Sequence, residues 1–79
     1  MTIPVESIEV GKCYLTRSGE IRRVLHILPH GPVHYEARRA AVLQAFGWTE
    51  GMLELALFAA LIEREVPCDW TSDADEASR

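Results

Sequence analysis

Pro29-His30-Gly31-Pro32 places two prolines and a glycine within four positions, and neither a helix nor a strand interior runs through such a stretch. The chain must turn there. An earlier break, Arg17-Ser18-Gly19-Glu20, offers Gly19 for positive φ. The two breaks separate three short runs rich in aliphatic, aromatic and β-branched residues: 12–16, 21–28 and 33–38. Runs of this length between turn signals predict three antiparallel strands joined as a meander. Strict alternation along the middle run puts Ile21, Arg23, Leu25 and Ile27 on one face and Arg22, Val24, His26 and Leu28 on the other. Neither face is polar throughout, so both are expected to be partly covered, as in a small curved sheet with a helix against it.

The second half reads as helical. Residues 36–46 are rich in Ala, Arg and Leu, and Gly47 stands where a terminating glycine belongs. From Thr49 a longer helix is expected to run to residue 65. Thr49 supplies the cap, Glu50 suits the positive end of the dipole, Trp48 can pack on Leu53, and Pro67 ends the element. At helical spacing Met52, Leu55, Ala56, Ala59, Ile62 and Val66 form an apolar arc, opposite Glu50, Glu54, Arg64 and Glu65. The expected class is α+β: a small antiparallel three-stranded meander packed against one or two C-terminal helices. One domain is expected over residues 1–70, followed by a mobile acidic tail at 71–79.

A chain of 79 residues buries only about 60% of its unfolded surface, so burial against a partner would add usefully to its stability. Its net charge of -4 is uneven: residues 1–40 hold six Lys/Arg against four Asp/Glu, and residues 41–79 hold two against eight. The folded body is therefore closer to neutral than the total. Pro4, Glu6 and Glu9 interrupt the opening segment where an export signal needs an apolar run, and the longest apolar run is 55–62, far below the ~18 residues that span a bilayer. A cytoplasmic location without membrane association is expected. Cys13 and Cys68 have no paired-ligand spacing and read as small packing residues of a reducing compartment, with a disulfide or half of a metal site as the alternatives.

The segment Ile8-Glu9-Val10-Gly11-Lys12-Cys13-Tyr14-Leu15-Thr16, followed by Gly19 and Arg22-Arg23-Val24-Leu25, resembles the first strands of small SH3-like barrels. It is also similar to short proteins of proteobacteria and their phages. The resemblance covers about the first half of the chain and implies a binding module for peptides or nucleic acids. The helices expected over residues 36–65 depart from a simple five-stranded barrel.

No nucleophile elbow, P-loop, HExxH or dinucleotide turn occurs in the sequence, and neither catalysis, a cofactor nor a metal is expected. His26, His30 and His34 are spaced for one helical face, but the intervening prolines forbid that helix, leaving His26 and His34 to approach across a strand pair. Two surfaces remain as candidates. Leu57 and Leu61 fall one turn apart inside the polar arc of the expected helix, flanked by Glu54 and Arg64, which suggests contact with a protein partner or a homodimer. The alternative is a nucleic-acid module in which Arg17, Arg22, Arg23, Arg38 and Arg39 meet phosphates while Tyr14 and Tyr35 stack on bases.

Overall fold

The computed structural model describes residues 4–40 and 48–71. A 3-10 turn at Val5–Ser7 leads into five strands and one helix: β1 Cys13–Thr16, β2 Glu20–Ile27, β3 Pro32–Arg39, β4 Thr49–Glu54, α1 Leu55–Leu61 and β5 Ile62–Val66. The strands form one antiparallel sheet in the order β4-β3-β2-β1-β5, so the first strand lies between the second and the last. Gly19, at φ +89, turns the chain from β1 into β2, a backbone conformation that a side chain disfavours.

This architecture corrects the expected three strands with one or two C-terminal helices: the chain is mostly β, and its helix has seven residues. Residues 36–39 of the first expected helix continue β3, while 41–47 lie outside the described residues. The expected helix 49–65 is divided into a strand, a short helix and a second strand. Its helical arc was real as a pattern but compatible with another path. In β4, Gly51 and Leu53 are partly covered while Glu50, Met52 and Glu54 are exposed, a period of two. Gly51 lies so close beneath Tyr35 that a Cβ would meet the phenolic oxygen at 2.7 Å and Cζ at 2.8 Å. In β5, buried Ile62 and Val66 enclose the exposed charged triplet Glu63-Arg64-Glu65.

The sheet carries a core on each face. Tyr14, Val24, Val33, Phe58, Ala59, Ile62 and Ile8 form one cluster, in which Tyr35, Leu53, Leu55 and Ile27 also pack. Cys13, Leu15, Ile21, Ala40 and Val66 form the other, closed by Trp48, Cys68 and Trp70. Successive residues Cys13, Tyr14 and Leu15 therefore alternate between the two clusters, which is why all of β1 is buried. In β2 the alternation is broken by a bulge between Val24 and His26, so Val24 and Ile27, three apart, serve the same core.

Cys13 and Cys68 are joined in a disulfide spanning 55 residues, correcting their reading as free packing residues. A bridge closing a loop of that length is worth about 4 kcal/mol by chain entropy, a large share of the ~5 to 15 kcal/mol of a typical domain. Urea unfolding with and without a phosphine reductant measures it. A loss of roughly 2 to 5 kcal/mol on reduction is expected, and coincident curves would show that the bridge adds nothing.

Candidate functional site

The tyrosines and arginines expected to face nucleic acid are largely engaged within the fold. Tyr14 is buried, its hydroxyl donates to the Ser7 carbonyl at 3.0 Å and accepts the Glu9 amide at 2.9 Å. Its ring meets Phe58 edge to face, with centroids 6.2 Å apart, so neither face is open to a base. Tyr35 is half-buried against Phe58 and carries the Arg22 guanidinium 4.8 Å from its centroid. Arg22 also donates twice to Glu20 Oε1, at 3.0 and 3.2 Å. Arg23 lies over Trp48, and its Nε is 3.2 Å from Glu36 Oε1. That contact lacks hydrogen-bond geometry, so the attraction is one of charge.

Arg38 is buried at 3% exposure, and its guanidinium bonds three carbonyls on two stretches of backbone. Nη1 donates to the Arg39 carbonyl at 3.2 Å, and Nη2 donates to the carbonyls of Cys68 at 2.8 Å and Trp70 at 2.7 Å. Burial pushes its pKa below the ordinary arginine value, and Arg23 adds to this while Asp69 opposes it; an arginine still keeps its proton in such a setting. Arg17 caps α1 from outside. Its amide donates to the Leu61 carbonyl at 3.2 Å and its Nη1 to the Ala60 carbonyl at 3.0 Å, satisfying acceptors that a helix end leaves open.

Of the four residues expected to meet a protein partner, two share the helix. Leu57 and Leu61 are 54% and 45% exposed, one turn apart on α1, opposite buried Phe58 and Ala59. Glu54 ends β4, and Arg64 lies in β5 with its guanidinium 5.1 Å from the Trp70 ring. The sequence reading missed the Trp residues as organisers. Trp48 receives both Arg23 and Arg38, at 4.4 and 5.4 Å, and the large aromatic area beside a basic cluster was the available signal.

Where β1 turns into β2, a cleft of about 340 Å³ opens between the turn, the end of β3 and Trp70. Arg17, Ser18, Arg39, Glu63 and Trp70 line it, over Leu15, Thr16 and Ala40. Farther along the sheet His26 and His34 face each other across β2 and β3, their rings stacked 6.0 Å apart, and His34 Nε2 is 3.1 Å from Glu50 Oε1. Among the described residues no group of three metal-ligating side chains converges. None of their helices is long and apolar enough to cross a membrane.

No family model, curated protein or solved structure matches this chain.

Two outcomes follow from these side chains. Replacing Arg38 with methionine keeps much of the apolar stem but leaves the Cys68 and Trp70 carbonyls without their donor; hydrogen bonds from a charged group are worth about 1.5 to 3 kcal/mol. Denaturant unfolding is expected to show a loss in that range, and an unchanged midpoint would show that water replaces the guanidinium. Burial, the largest cause, raises the Tyr14 pKa above the usual tyrosine value of 10.0. The folded protein then holds its proton where the unfolded chain releases it. Stability is unaffected below the unfolded value and falls as pH rises through it. Tyr14→Phe is expected to lessen that alkaline fall, seen as unfolding midpoints across pH 8 to about 11.

Proposed function

We propose that this chain is a non-catalytic interaction protein that associates with a second copy of itself through α1. The observation that carries the reading is the pair Leu57 and Leu61, about half exposed on a helix that buries Phe58 and Ala59 on its other side. Both ends of that helix are fixed: the Leu55 amide donates to the Gly31 carbonyl, and Arg17 holds the carbonyls of Ala60 and Leu61. The leucines therefore sit on a rigid platform, and docking them costs little ordering entropy. A two-fold axis beside α1 brings four leucines together. Burying the remaining half of each is worth about 1 kcal/mol, so association is weak and concentration-dependent.

The expected cytoplasmic location is harder to reconcile with the fold. The Cys13–Cys68 bridge favours an oxidising compartment or an oxidised period in the life of the protein, because glutathione keeps most cytosolic thiols reduced.

Sedimentation of the oxidised protein over a wide concentration range tests the reading. Self-association that strengthens with concentration and disappears in Leu57→Glu/Leu61→Glu is expected, with circular dichroism unchanged because both side chains already face solvent. A wild-type protein that stays monomeric at high micromolar concentration, or a double variant that still associates, would overturn it.

A further inference from the structure

β4 closes one side of the sheet, and among the described residues no strand pairs with its outer edge. The phase of the ladder says which backbone groups point outward. The Leu55 amide donates to the Gly31 carbonyl, one step beyond the pair Pro32 and Glu54. In an antiparallel ladder Leu53, Gly51 and Thr49 therefore bond to β3, while Glu50, Met52 and Glu54 turn their amides away from it. Those amides, with the carbonyls of Glu50 and Met52, form a short template for a further strand, which ends where α1 begins at Leu55.

The side chains along this edge determine what kind of strand it takes. Glu50, Met52 and Glu54 are exposed on the face opposite α1, whereas Leu53 packs with Phe58 in the α1 core. Arg23, Glu36 and Glu50 stand in one row across β2, β3 and β4. Glu36 has Arg23 on its inner side, Nε lying 3.2 Å from Oε1, but its outer neighbour is a second carboxylate, and like charges directly opposite are destabilising. Among the described residues Glu50 pairs with the His34 ring and with no lysine or arginine, and Glu54 is in no ion pair. A cation on an added strand would stand to Glu50 as Arg23 stands to Glu36. Between the two carboxylates Met52 is 57% exposed, an apolar contact for the middle of that strand.

The same charges disfavour two nearer occupants. A second β4 paired antiparallel about Met52 would set Glu50 of each copy against Glu54 of the other, a like-charge opposition made twice. Residues 72–79 of this chain hold three Asp/Glu and one Arg, again the wrong sign. The net charge of -4 instead draws a basic partner from a distance.

We propose that β4 binds an extended basic segment of another protein, added antiparallel to the sheet, with an apolar residue opposite Met52 and a lysine or arginine opposite each of Glu50 and Glu54. The surface lies apart from Leu57 and Leu61, so it stands whether or not the chain self-associates through α1.

The test is titration of the oxidised full chain with the blocked peptide GKTVTKG, followed by backbone amide resonances. Saturable shifts are expected at Glu50, Met52 and Glu54. The acidic counterpart GETVTEG is expected to bind at least tenfold more weakly, and so is GKTVTKG carrying an N-methyl group on its valine, which keeps the charge but removes a donor to the edge. Glu50→Gln/Glu54→Gln, two exposed positions, is expected to weaken GKTVTKG tenfold or more while the spectrum stays dispersed. Absence of saturable shifts at millimolar GKTVTKG, equal binding by the acidic peptide or an unaffected double variant would overturn the proposal. Equal binding by the N-methyl peptide would show attraction of charges without strand addition and overturn it as well, as would shifts at Glu50 and Met52 that grow with protein concentration when no peptide is present, the mark of a second copy on this edge.

Discussion

Everything on the Trp side of the sheet depends on the return of residues 67–71 across it. Five short strands present two faces, and α1 with the N-terminal turn covers only one. The second face holds Leu15, Ile21 and Val66, which would meet water if Cys68 and Trp70 were not laid against them. Two forces of different kind hold that segment: a covalent bond to Cys13 and the buried guanidinium of Arg38. The bond limits how far the unfolded chain can spread. Arg38 instead offers directional donors to carbonyls that no strand partner satisfies, and a buried cation is tolerable there because those donors are used.

The same arrangement settles what the basic residues do. A cluster of five arginines in an acidic chain invites a reading in terms of phosphate, yet most of the cluster has structural work. Arg38 binds backbone, Arg17 closes the helix end, and Arg22 and Arg23 lie over aromatic rings with carboxylates beside them. Cation–π contacts of this kind let a small protein cover indole and phenol rings with long polar side chains. Arg39, at the end of β3, remains exposed at the cleft.

How much of this could be read in advance divides at about residue 40. Up to that point the information is local: Gly19 and the Pro29–Pro32 turn fix where the chain reverses, and the runs between them are too short and too β-branched for helices. That both faces of β2 are covered was also legible, from Ile21 and Val24 lying on opposite sides. Strict alternation misplaced Ile27, because a bulge leaves no mark in composition. Beyond residue 48 the information is tertiary. Thr49 looks like a cap until Ala37 pairs with it, and Gly51 looks like a tolerated helix glycine until Tyr35 occupies the space a side chain would need. The triplet Glu63-Arg64-Glu65 is as consistent with an exposed helix as with an edge strand. The helical period did place Leu57 and Leu61 together on an exposed face, because the short α1 includes both. The arginine and tyrosine set was identified by residue type alone, which says nothing of burial; that is why Tyr14 and Arg38 proved enclosed. The bridge stood only as an alternative to two packing residues, because a spacing of 55 residues carries no signature.

The placement of β1 between β2 and β5 also sets the order in which this chain can assemble. The β1–β2 and β2–β3 hairpins need only short loops to close. The β1–β5 pair must bring Cys13 beside Val66, across most of the chain. Contacts so distant in sequence cost loop entropy before they return any burial, which slows folding in small β proteins. During synthesis β1 waits with one edge unpaired until β5 has been made. An unpaired strand edge is a template for the wrong partner, so the interval before β5 docks is when this protein is most exposed to aggregation. Once β5 arrives, the edge it presents outward is the charged Glu63-Arg64-Glu65, a sequence poorly suited to recruiting a further strand.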